Sequence, residues 1–169
     1  MTFTTDRFTN PYLTATAAAN PVFTVTDRIK RLNTDEQLAL LWYIYTELGK
    51  AITAAAPGAA RLQLAEGLLN QVQQMSYTEQ LQFMRDLVNR VSNAATRAYG
   101  VLSANTKLAF WYQLAEWMTQ GTVIPMPSDY RLSTEADKAL VDLKLLDRGQ
   151  QITILRNVVV GMGVDPLAC

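Results

Sequence analysis

Apolar positions in this chain recur three and four residues apart for most of its length, the spacing of a helix face rather than of a strand. In QLALLWYIYTELG the apolar set is Leu38, Leu41, Trp42, Tyr45 and Leu48, and Asn33-Thr34-Asp35-Glu36 just before it supplies a helix start. Asn20-Pro21 is another start, a capping side chain followed by proline at the first helical position. Ser76 and Glu79 have the form of a capping box ahead of LQFMRDLV. Ser92-Asn93 and Ser103-Ala104-Asn105 punctuate the next elements. Ser133 leads into ADKALVDLKLL, which Asp147-Arg148-Gly149 is read as closing. Pro57-Gly58 breaks the period within AAAPGAA, and LQLAEGLLNQV restarts it. TVIPMPSDY (122–130), with Pro125 and Pro127, predicts the clearest long loop. ITILRNVVV is β-branched enough for a strand. No other segment offers it a strand partner, so it is read as a helix and the fold class as all-α. Residues 1–19, Thr- and Ala-rich without a period, are read as an arm, 20–163 as the helical domain and 164–169 as a tail.

The pattern also repeats. LLWYIYTEL (40–48) and AFWYQLAEW (109–117) share W-Y-x-x-x-E, with Trp42, Tyr43 and Glu47 matching Trp111, Tyr112 and Glu116. QLQFMRDLV (80–88) and QITILRNVV (151–159) share an apolar frame in which Arg85 matches Arg156. Both matches lie about seventy residues apart and in the same order, which points to two related helical halves packed face to face. On the second aromatic helix Leu108, Trp111, Leu114, Ala115 and Met118 share a face; on the first, Leu38, Trp42, Tyr45 and Gly49 do. Small Ala115 and Gly49 each lie one turn from a large ring, which leaves room for something between the rings. Met84, Met118 and Met126 are adaptable apolar fillers. Periodicity alone favours a plain core; the repeat brings a box for a long apolar ligand at the seam between halves level with it.

Composition narrows the chemistry. The chain has no histidine, which removes His-assisted nucleophiles, His metal ligands and a histidine switch. Its one cysteine is Cys169, so no internal disulfide or Cys-rich metal site is expected. Lys plus Arg equals Asp plus Glu at 15 each, and that balance predicts neither nucleic acid nor an anionic membrane surface. No apolar run approaches the roughly 18 residues of a spanning helix, and the N-terminus lacks the layout of a signal peptide. The chain is read as cytoplasmic, as a monomer, without a metal and not as an enzyme. Glu47 and Glu116, the recurring carboxylates, are read as surface groups of related helices.

Three stretches then carry a resemblance: QLALLWYIYTELGKAITAAAPGAA (37–60), NTKLAFWYQLAEWMTQG (105–121) and GQQITILRNVVVGMG (149–163) closely resemble the N-terminal helical domain of the orange carotenoid protein. The resemblance runs in register from about residue 20 to 163, and the runs APGAA and GQQIT make it specific. Two-domain members of that family continue into a mixed α/β domain, so this chain looks like a stand-alone helical carotenoid protein of cyanobacteria. The resemblance implies two interleaved four-helix bundles with a keto-carotenoid (canthaxanthin, echinenone or 3'-hydroxyechinenone) held non-covalently in a tunnel between them. It carries the tunnel lining onto Leu38, Leu41, Trp42, Tyr45, Met84, Trp111, Ala115, Met118, Met126, Pro127, Ile152 and Arg156, with Trp42 and Trp111 flanking the buried ring. Arg28, Asn105 and Arg156 become candidate contacts to the phycobilisome, through which the protein would associate with the thylakoid surface. Arg85 falls near that same surface, where two-domain members tend to carry a small residue. Arg156 bridges the two domains of those relatives in the dark; with no such partner here, a constitutively active holoprotein is expected.

The functions this implies are quenching of singlet oxygen by the bound polyene, docking on the phycobilisome to drain excitation energy, or carriage of pigment to separate C-terminal-domain homologues.

Overall fold

The helix starts read from the sequence are built as caps. In the computed structural model, which describes residues 20–55 and 62–167, the side chains of Asn20, Asn33, Ser76, Asn93, Ser103 and Ser133 each accept the backbone N–H three residues on. At Ser76 the bond is reciprocated: Glu79 accepts from the Ser76 N–H at 3.1 Å. Each cap satisfies donors that the first turn of a helix leaves open. The helices so started are α1 (Pro21–Lys30), α2 (Thr34–Ala55), α3 (Glu66–Gln74) after a short 3-10 helix (Leu62–Ala65), α4 (Tyr77–Asn89), α5 (Ala94–Gly100), α6 (Ala104–Gln120), α7 (Thr134–Lys144) and α8 (Arg148–Val160). No strand occurs among the described residues, and ITILRNVVV lies inside α8.

One boundary differs from the sequence reading. Asp147-Arg148-Gly149 does not close α7, which ends at Lys144; Asp147 instead caps α8 in a box with Gln150. The Asp side chain accepts from the Gln150 N–H at 2.8 Å, a use that an Asp ahead of a helix favours over termination. The Pro57-Gly58 break, the 1–19 arm and Cys169 lie outside the described residues.

The long aromatic helices α2 and α6 pack on each other at the centre. Helix α2 also packs on α4, and α6 on α8, so each aromatic helix is paired with the repeat helix of its own half. Helix α1 joins α7 and α8, which brings the two ends of the domain together. The two halves share contacts that the sequence frame did not spell out. Gln80 and Gln151, which head the two repeat copies, are both buried. Gln80 Nε2 donates to Val72 O at 2.9 Å, and Gln151 Nε2 donates to Leu143 O at 3.1 Å, each eight residues back. Arg85 on α4 reaches Asp35 in the first turn of α2, and Arg156 on α8 reaches Asn105 in the first turn of α6. The repeat is therefore structural as well as textual.

Candidate functional site

Helices α2, α4 and α6 and the loop after α6 border a cavity of about 240 Å3 that opens partly to solvent. Ten of the twelve tunnel residues expected from the sequence line it: Leu38, Leu41, Trp42, Tyr45, Met84, Trp111, Ala115, Met118, Met126 and Pro127. They come together because residues three, four and seven apart on α2 and on α6 face each other where those helices pack. Asp35, Ala39, Leu81, Arg85, Ile124, Pro125 and Tyr130 complete the lining.

Ile152 and Arg156 do not line this cavity. Their repeat mates, Leu81 and Arg85, do. The internal repeat is the signal that could have found Leu81 and Arg85, but it does not say which copy borders the space. Arg156 Nη2 donates to Asn105 Oδ1 at 2.9 Å, which brings two of the three candidate antenna contacts together. The third, Arg28, pairs with Asp142 and ties α1 to α7.

The loop that borders the cavity is held by partly buried hydrogen bonds. Gln80, 1% exposed, donates to Thr122 O at 3.3 Å and accepts from the Ile124 N–H at 2.8 Å. Tyr43 Oη donates to Tyr130 O at 3.4 Å at the other end of the loop. Pro125 and Pro127 lack N–H donors, so between these anchors the backbone follows neither helix nor strand.

Apart from the Asp35–Arg85 pair the walls are uncharged, with Trp42, Tyr45, Trp111 and Tyr130 as their rings. Trp42 stands edge-on to Tyr43, with ring centres 5.0 Å apart. Tyr45 Oη donates to Leu108 O at 3.0 Å, tying α2 to α6, and burial pushes its phenol well above the ordinary tyrosine range, so it stays a donor. Arg85 grips Asp35 through two parallel bonds at 2.8 and 2.9 Å at one edge of the space. The guanidinium's hydrogen bond holds the Asp35 carboxyl below its usual value.

Ala115 and Tyr45 also border a second hollow on their other side, lined by Thr46, Tyr112, Glu116, Thr119 and Gln120. The two hollows are separated by the shared residues Tyr45 and Ala115. The room expected beside Gly49 is different: a Cβ there would lie 2.8 Å from Tyr112 Cε2, so a ring of the protein itself fills it. Glu47 and Glu116, the recurring carboxylates, have separate partners, Lys144 and the Tyr112 hydroxyl. No cluster of metal-ligating side chains occurs among the described residues, and no described helix is long and apolar enough to cross a membrane.

A family profile described as "Orange carotenoid protein, N-terminal" matches residues 15–165. An orange carotenoid-binding domain-containing protein of Nostoc sp. (strain PCC 7120) is 55% identical, over 99% of each chain. The structure of the Orange Carotenoid Protein of Anabaena (Nostoc) sp. PCC 7120 binding canthaxanthin is 49% identical with a TM-score of 0.78, and covers 88% of this chain. This chain spans about half of that protein, 48% of its length. The Red Carotenoid Protein of the same organism binding canthaxanthin is 42% identical with a TM-score of 0.76, over 84% of this chain and 97% of that one. The chain therefore belongs to the family of the orange carotenoid protein N-terminal domain.

Proposed function

We propose that this chain binds a keto-carotenoid non-covalently in the cavity between α2, α4 and α6 and acts in photoprotection by quenching singlet oxygen. The observation that carries the reading is the cavity itself: a largely apolar, tryptophan-lined space inside a chain whose canthaxanthin-binding relatives share its fold. A conjugated polyene is long, rigid and apolar, and needs such a space. Burying several hundred Å2 of it at about 25 cal/mol/Å2 contributes on the order of 10 kcal/mol before association costs. Trp42, Tyr45 and Trp111 offer flat faces to the rings and chain, and Met84, Met118 and Met126 adapt to its contour. The pigment supplies the photochemistry when bound; the protein supplies position, polarity and restraint.

Arg28, Asn105 and Arg156 already serve contacts between helices. The singlet-oxygen reading asks nothing more of them, whereas antenna docking requires them to serve a partner as well. The test is to express the chain in a host that makes canthaxanthin and purify it. A coloured protein with a red-shifted visible band that protects a singlet-oxygen trap better than its pigment-free form is the expected result. A colourless product would overturn carotenoid binding, and colour without added protection would overturn the quenching role.

A further inference from the structure

Trp111, 4% exposed in the cavity wall, has one polar atom, and that atom is spoken for: its Nε1–H donates to Tyr99 Oη at 3.0 Å. Tyr99 is fully buried in α5, and its own hydroxyl donates to Val159 O at 2.6 Å, in the last turn of α8. Two buried hydrogen bonds thus run from the end of α8, through Tyr99, to the cavity lining. The ring is fixed as firmly as the hydroxyl. Phe110 meets Tyr99 edge-on at 5.4 Å and Trp111 edge-on at 6.3 Å, and Lys107 Nζ stands 5.2 Å from the centre of the Tyr99 ring. The chain then turns back across Tyr99. Gly163 has φ +71°, and a Cβ there would lie 2.6 Å from Tyr99 Cδ1, so only glycine lets the backbone pass so close. That turn is pinned by Gly163 N–H to Leu87 O at 2.8 Å and Val164 N–H to Thr96 O at 3.2 Å. The other tryptophan of the cavity shows the contrast: Trp42 Nε1 is buried with no hydrogen-bond partner among the described residues.

We infer that Tyr99 is a positioning residue of the carotenoid site, fixing the rotation of the Trp111 indole and holding it to the turn that follows α8. The inference rests on the carotenoid reading above. A tryptophan N–H left buried without an acceptor is costly. Without the Tyr99 hydroxyl the indole gains by turning, and any turn changes the ring face that the pigment meets. Tyr99 touches no pigment in this scheme; it acts through Trp111.

The test is Tyr99→Phe, which keeps the ring and removes one oxygen. In the pigment-free protein the near-ultraviolet circular dichroism is expected to change while the far-ultraviolet spectrum does not. In the canthaxanthin-loaded protein the visible circular dichroism and absorption band are expected to move by more than replicate wild-type preparations differ. Trp111→Phe is expected to move them too, and the double variant to match Trp111→Phe alone, because the Tyr99 hydroxyl reaches the pigment only through the Trp111 indole. Visible spectra of Tyr99→Phe that superimpose on wild type overturn the inference, as do effects that add in the double variant. Should Tyr99→Phe not fold, Trp111→Phe carries the same expectation, and an unchanged visible spectrum there overturns it. A wild-type protein that takes up no pigment sinks the carotenoid reading instead.

Discussion

Ala115→Leu separates the two meanings of the aromatic helices. Ala115 is 6% exposed, borders both hollows and lies one helical turn from Trp111. If α2 and α6 met in an ordinary packed core, three added carbons would force neighbours off their rotamers at about 1–3 kcal/mol. For a chain of this size that is a fall in Tm of roughly 2–12 °C. In the structure the side chain has open space on either side, so stability of the pigment-free protein is expected to stay within about 0.5 kcal/mol, the range of a substitution that meets nothing. Pigment binding responds in the opposite sense. A leucine at the wall shared by the two hollows takes up the space the pigment would occupy on either side of it. Losing half of a polyene's contact removes about 5 kcal/mol of the burial worked out above, more than a thousandfold in affinity at 1.4 kcal/mol per factor of ten. Thermal melting of the pigment-free protein and titration with canthaxanthin read the two effects separately. A clear loss of stability with unchanged pigment affinity would refute the argument and return these helices to plain core.

Two further outcomes follow from the polar contacts around the cavity. Gln80→Ala leaves the Ile124 N–H without its acceptor, at about 1–3 kcal/mol, while the Val72 carbonyl keeps the Met75 N–H as a donor. Denaturant unfolding should show a loss of about 1–3 kcal/mol, and hydrogen exchange at Ile124 should speed up; Gln151→Ala should destabilise the α7–α8 turn and leave Ile124 exchange unchanged. The Asp35 carboxyl has a lower pKa folded than unfolded, so its pairing with Arg85 stabilises the fold above the unfolded value near 4 and is lost as pH falls through the folded value. Melting followed from pH 7 to pH 2 should fall more steeply for wild type than for Arg85→Ala, by a small margin that high salt reduces, because the pair is half exposed.

Helices, their starts and the doubling of the chain were determined by the sequence, because capping and face periodicity are local properties that act over three or four residues. Asn20, Asn33, Ser76 and Ser133 cap the helices they were expected to cap. The same locality explains the error at Asp147, where one short polar cluster served equally as an end or a beginning. The repeat was legible because both halves keep a tryptophan helix and an arginine helix, and the buried glutamines that head the latter could have been found the same way. The lining of the cavity was legible only as far as the faces of α2 and α6 carried it. Which copy of the repeat borders this cavity was decided in three dimensions: Leu81 and Arg85 line it, and Ile152 and Arg156 do not. So was the filling of Gly49 by Tyr112, and the bond from Trp111 to Tyr99 and on to Val159. These depend on which helix face meets which across tens of residues, and no local spacing carries that information.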